Sequence, residues 1–254
     1  MRFSLSAVAA IALVIVSARS ARAQDEITFI APNILRAPME QIIPGFEAKT
    51  GHKVKATFGA EAGTRQQILK GEAFDVPVVE APDTDAIASG NVVASSETQF
   101  ANVSIGIAVR KGAPKPDIST PDAVKRMLLA AKSISFPDPS GGAAAGVTVD
   151  EALKKLGIAE RLQPKIKPAQ GGARAMAMVA SGDAEIGMTF VNAMTDPGID
   201  VVGSLPREVS PPTVFVGFVS THAKDPAAAK ELLAYLSSPE AAAAFQAQHL
   251  QPGR

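Results

Sequence analysis

From Ile27 onward the chain alternates short apolar, β-branched runs with amphipathic segments, and this alternation limits it to few folds. "EITFIAP" (26–32) is an apolar run ending in proline. After it Met39, Ile42, Ile43 and Phe46 recur at helical spacing until Gly51, with Pro44 placed to kink the helix. "HKVKATFGA" alternates as a half-buried strand, and "TRQQILKGE" returns to helix. Further strands are expected at "DVPVVEAP", "VSIGIAVRKG" (103–112), "SISF", "KIKPA", "EIGMTF" (185–190), "DVVGSLP" and "TVFVGFVS" (213–220). Thr120-Pro121, Asp225-Pro226 and Ser238-Pro239 each place a capping side chain before a proline, which is a strong helix-start signal. Strands alternating with helices imply parallel sheets covered by helices on both faces, so the expected class is α/β. The units do not repeat at a fixed period, and no low-complexity linker divides the chain.

The N-terminus reads differently. Arg2 precedes the ten-residue apolar run "AVAAIALVIV", and "ARA" at 21–23 has the small-x-small pattern of a cleavage site. The run is shorter than the roughly 20 residues of a spanning helix, so residues 1–23 read as a secretory signal peptide cleaved before Gln24. Loss of Arg2, Arg19 and Arg22 from a balance of 25 basic and 25 acidic residues leaves the mature chain mildly acidic. That argues against a nucleic-acid partner, which would call for a basic footprint. The absence of cysteine removes disulfides, thiolate metal sites and thiol nucleophiles.

In open α/β sheets ligands sit beyond the carboxyl ends of the strands, where the next helices start. Three such corners are rich in small or polar residues: "APNIL" (31–35), "GAEAGT" (59–64) and "PDPSGGAAAG" (137–146). Free N–H groups at a helix N-terminus bind anions without a positive side chain, and small residues let a ligand reach them. One such corner alone is equally well a tight turn; three at matching places point to a shared anion site. Candidate ligand residues are Asn33 in the first corner, Glu61, Ala62 and Thr64 in the second, and Ser140, Ala145 and Gly146 in the third.

Other chemistries lack their motifs. No G-x-G-x-x-G follows the first strand, no G-K-[ST] closes a glycine loop, and no G-x-S-x-G surrounds Ser140. His52, His222 and His249 are scattered, so no metal site and no cofactor are expected. Glu61 and Arg65, four apart, are either a surface ion pair or a site in which Arg65 clamps a carboxylate; the sequence leaves both open.

Four further stretches stand out: "FEAKTGHKV" (46–54), "PDISTPDAVKRMLLAAKSI" (116–134), "SGDAEIG" (181–187) and "SSPEAAA" (237–243). Through them, and over its mature length, the chain resembles the periplasmic molybdate-binding proteins, a family of type II two-lobed solute-binding proteins. "AGVTVDEAL" matches the family's second-lobe loop, which puts backbone N–H groups near Ala145 and Gly146 against the ligand. The family's first serine falls on Asn33, its second on Glu61 or Ala62, a backbone contact near Gly172, and a tyrosine of some members on Phe190. A neighbouring branch, with stretches such as "AVRKGAPKPDIST", includes aconitate isomerase; in that reading Glu61 is the base, and Arg65, Gln66 and Asn33 hold the carboxylates.

The resemblance implies a monomeric periplasmic protein that closes on a small anion, an oxyanion such as molybdate or tungstate or an organic carboxylate, and delivers it to an inner-membrane ABC permease. Residues 24–104 and 205–254 would form one lobe and residues 105–204 the other. The alternative is an isomerase of a di- or tricarboxylic acid on the same scaffold. The exported form is expected to begin at Gln24, which intact-mass measurement of a periplasmic extract checks.

Overall fold

The computed structural model describes residues 26–253; the expected signal peptide and its expected cleavage point lie outside them. Eleven strands build two mixed sheets. The first takes β1 (Ile27–Pro32), β2 (Val54–Gly59), β3 (Val76–Ala81), β4 (Thr98–Val103), β10 (Thr213–Gly217) and β11 (Gln251–Pro252), in the order β11-β4-β10-β3-β1-β2. The second takes β5 (Ile105–Arg110), β6 (Ile134–Pro137), β7 (Ile166–Ala169), β8 (Ile186–Phe190) and β9 (Ile199–Ser204), in the order β7-β6-β8-β5-β9. Helices flank both: α1 (Arg36–Thr50), α2 (Glu61–Leu69), α3 (Thr84–Ala88), α4 (Pro121–Ala130), α5 (Ala144–Lys155), α6 (Ala159–Leu162), α7 (Gly172–Ser181), α8 (Pro226–Leu236) and α9 (Pro239–Ala247).

β1 runs parallel to β2 and β3, and β6 runs parallel to β7 and β8, because consecutive strands of each set are joined through helical crossovers. The strands by which the chain changes sheet run antiparallel: β10 against β3 and β4, β5 against β8 and β9. Only Ser104 separates β4 from β5, and residues 205–212, with three prolines, carry the chain from β9 back to β10. β4 is a strand that the sequence hides. "TQFANV" carries three polar residues, yet Phe100, Ala101 and Val103 are buried and both edges are paired. The helix expected to kink at Pro44 runs unbroken from Arg36 to Thr50, and the proline sits on its exposed side.

Phe29, Met39, Phe46, Phe100, Phe215 and Phe245 fill the first sheet's interior, and Ile107, Ile134, Phe136 and Met188 the second's, as one continuous core. Each such side chain contributes about 1.5–3 kcal/mol on burial. One polar group is buried by design. The Asp75 carboxylate, 3% exposed, accepts from Thr28 N–H (2.7 Å), Thr28 Oγ1 (2.6 Å) and Lys224 N–H (2.6 Å), tying β1, the start of β3 and the approach to α8. Asp75→Ala leaves these donors unpaired and is expected to cost about 3 kcal/mol or more, read from urea denaturation.

Candidate functional site

Every helix of eight residues or more has to satisfy N–H groups in its first turn, and the fold treats its helices in two ways. α4, α8 and α9 are capped by the side chains of Thr120, Asp225 and Ser238. α2, α5 and α7 begin after Ala60, Ala143 and Gly171, with no side-chain cap. α1 is led by a single 3-10 turn, Asn33–Leu35, that follows Pro32 and also lacks one. The uncapped starts share one location. They follow β1, β2, β6 and β7 and open on a cleft of about 450 Å³ between the two sheets' carboxyl ends, within the ~300–1,000 Å³ range of ligand pockets.

Local sequence explains the approach. Gly142 (φ +70°) and Gly171 (φ +93°) adopt left-handed conformations that L side chains rarely take. A Cβ on Gly172 would lie 2.5 Å from Thr189 Oγ1, so the start of α7 sits directly on the end of β8. A Cβ on Gly142 would lie 3.6 Å from the Cβ of Ala62; the corners of the two sheets therefore meet at the cleft mouth.

Of the residues singled out in the sequence, Asn33, Glu61, Ala145, Gly172 and Phe190 line the cleft. The others do not. Ala62 stands at the mouth rather than on the lining. Thr64 is buried, and its Oγ1 donates to the Glu61 carbonyl (2.9 Å), which holds the first turn of α2. Ser140 is exposed; its N–H donates to Asp138 Oδ1, while its neighbours Gly141 and Gly142 face the cleft. Gly146 is small for packing, since a Cβ there would collide with the Pro137 carbonyl oxygen.

Arg65 departs furthest from expectation. Its Nε donates to Asp83 Oδ2 (2.7 Å), and its Nη2 to Asp83 Oδ1 (3.1 Å) and Asp85 Oδ2 (2.6 Å). The guanidinium pins α2 to α3 and leaves no fork free for a ligand, and neither a clamp nor a pair with Glu61 forms. Gln66, the amide grouped with it, is an exposed residue outside the cleft lining.

The cleft brings in three polar side chains that sequence reasoning missed: Glu80 at the end of β3, Thr189 at the end of β8, and Asn192 just after it. A signal for Glu80 was present, a charge directly after the apolar run "VPVV". Glu61 Oε2, Glu80 Oε1 and Asn192 Oδ1 are shielded from solvent without a hydrogen-bond partner in the protein. Among the described residues, no Lys, Arg or His lines the cleft.

Two carboxyl groups therefore face a region built to attract negative charge. Burial, with the charge of Glu80 next in weight, pushes the Glu61 carboxyl up to about 8; the Glu80 backbone N–H offsets part of the shift. Burial, reinforced by Glu151, pushes Glu80 up to about 7. The N-terminus of α2 favours an ionised Glu61 by about 0.3–1 kcal/mol, less than one pKa unit is worth, so desolvation wins. Near neutral pH the cleft thus holds a largely protonated Glu61 and a partly protonated Glu80 beside uncapped backbone donors, a combination that can both bind an anion and exchange protons with it.

These features meet the comparisons with known proteins at one point. Residues 27–251 match the sequence pattern of the bacterial extracellular solute-binding proteins. The chain belongs to that family. Within reach of it are the aconitate isomerase of a Pseudomonas species, 30% identical over 89% of this chain and 87% of the relative, and the molybdate-binding protein ModA of Azotobacter vinelandii, 32% identical over 97% and 98%. The solved structure of the Azotobacter vinelandii periplasmic molybdate-binding protein superposes with a TM-score of 0.65 at 20% identity, over 88% of this chain and 98% of that one, a likeness of fold. The two-sheet α/β architecture is that of periplasmic binding proteins, and no helix among the described residues is long and apolar enough to cross a membrane.

Two outcomes test this description. A carboxyl raised in the folded state holds its proton after the unfolded chain has lost its own, so stability falls as pH rises from about 4.5 to about 8. The fall is up to about 1.4 kcal/mol per pH unit for each group. Glu61→Gln and Glu80→Gln should therefore raise the melting temperature at pH 8–9 and change it little at pH 4.5. Gly146→Ala, by contrast, should destabilise the fold by about 1–3 kcal/mol in urea denaturation through overpacking against Pro137.

Proposed function

We propose that this protein captures a small organic-acid anion in the cleft between its lobes and presents it to an ATP-driven importer of the inner membrane. The observation that carries the reading is the convergence of uncapped helix starts on one cleft that, among the described residues, no cationic side chain lines. Backbone N–H groups and helix dipoles then supply the anion's partners. The crossings at Ser104 and residues 205–212 divide the chain into lobes and act as the hinge on which they close as a monomer. Export with cleavage after Ala23 places it where such an importer collects its ligand.

A carboxylate suits this cleft better than molybdate, the ligand that ModA's name records. The hydroxyls that the resemblance implies for a molybdate site fall on Asn33, on Glu61 or Ala62 and, for some members, on Phe190, and the one hydroxyl on the described lining is Thr189. Citrate, trans-aconitate, malonate, molybdate, tungstate and sulfate should be compared by thermal shift. A ligand at 100 times its dissociation constant stabilises by about 2.7 kcal/mol, a rise of about 5–10 °C for a chain of this size. A rise with a carboxylate is the expected result; a rise with molybdate or tungstate alone returns the assignment to an oxyanion carrier.

A second reading has its own support in Glu61, a cleft carboxyl that titrates close to physiological pH with one oxygen unpartnered. Such a group can take a proton from a methylene beside a carboxylate and return it across a shifted double bond, the chemistry of an aconitate isomerase. Incubation with trans-aconitate and ultraviolet detection of the cis isomer separates enzyme from carrier. If turnover is seen, Glu61→Gln should reduce it at least about 100-fold while binding survives.

A further inference from the structure

An anion cleft that encloses two carboxyl groups and no cation calls for a physical account. Glu61, first residue of α2, and Glu80, last but one of β3, line the same wall. Each carries one oxygen shut from solvent without a partner in the protein, so neither carboxylate would have its charge fully satisfied by the fold. Cations that would hold them ionised are committed elsewhere or lie behind them. Arg65, on the same helix as Glu61, is tied to Asp83 and Asp85. Lys155 and Glu151, both on α5, line with Glu80 a separate 380 Å³ cavity on its other side. The charged groups that bear on Glu61 are thus Glu80 from β3, Asp83 from the turn before α3 and the neutralised Arg65; on Glu80 it is Glu151 from α5. Glu61 thus meets two acidic neighbours and one cation already paired elsewhere, and Glu80 meets Glu151, with Lys155 on the same helix.

We propose that Glu61 and Glu80 remain protonated in the closed cleft and donate hydrogen bonds to an ionised carboxylate of the ligand, so that an organic acid is captured together with protons. The proposal rests on the small-anion reading above and deepens it by naming the ligand class. A carboxylic acid donating to a carboxylate makes a short, charge-assisted hydrogen bond. The helix starts of α5 and α7 on the facing wall bind the ligand's other oxygens. Both carboxyls titrate near neutrality, so above pH 8 each must recover a proton before the anion can enter.

The test is isothermal titration calorimetry with trans-aconitate between pH 7 and 9.5, each pH run in two buffers of different ionisation enthalpy. The expected result is an affinity that falls at least tenfold across the range, with one to two protons taken up per ligand at the alkaline end. The Glu61→Gln/Glu80→Gln double variant, whose amides donate at every pH, should bind with an affinity that changes less than about twofold and without buffer dependence. Binding by the wild type that is independent of pH and buffer overturns the inference and leaves the carboxylate carrier standing. Tighter binding of aspartate than of trans-aconitate, strengthening as pH rises, overturns it too, because the carboxyls would then be ionised and paired with an ammonium. No binding of trans-aconitate at pH 7 removes the carboxylate reading itself, and the inference with it.

Discussion

The arrangement depends on where backbone N–H groups are left unpaid. Each helix start carries several donors, and leaving them unsatisfied in a buried place costs about 1–3 kcal/mol apiece. Helices at the periphery meet this requirement locally, through Thr120, Asp225 and Ser238. Those at the carboxyl ends of β1, β2, β6 and β7 do not, and they face one cleft. The parallel order of these strands puts their carboxyl ends at the same edge of each sheet, so the donors cannot avoid one another. Crossing twice between sheets turns the two edges face to face.

Within that field the carboxyls are the counterweight. A helix N-terminus favours an ionised acid by less than one pKa unit, whereas removal from water and an acidic neighbour together move Glu61 by several. Arg65 is held so firmly by Asp83 and Asp85 that it does not restore the balance. The cleft is therefore electropositive in its backbone, while its side chains carry less negative charge at physiological pH than two ordinary carboxylates would. That division of labour, donors from the main chain and protons from side chains, accommodates both a carrier and a proton-transfer enzyme on one scaffold.

Much of the fold was legible because hydrophobic periodicity and capping residues are local signals. The Thr120-Pro121, Asp225-Pro226 and Ser238-Pro239 starts appear where their sequences place them, and the apolar runs at 27–32, 76–81, 105–110 and 186–190 are strands. β4 was hidden because its polar residues mask the apolar pattern, and its backbone is held by β10 and β11, partners more than 100 residues away in sequence. The corner at 137–146 was visible as an anion corner, yet the reason for each small residue was not. Gly142 is needed for its backbone angles, whereas Gly146 is needed to clear the Pro137 carbonyl.

The sequence by itself determined the α/β class, the corners at which helices start without caps, and membership of a family of two-lobed binders, since each rests on neighbours in the chain or on matched motifs. Only the tertiary structure decided which charges enter the site. Arg65 and Glu61 are one helical turn apart, and from spacing alone either could face a ligand. The position of Asp83 at the cap of α3 draws Arg65 away, and the pairing of β3 beside β1 brings Glu80 in. Coulomb attraction and desolvation depend on distances across the fold, and sequence spacing carries no record of those distances.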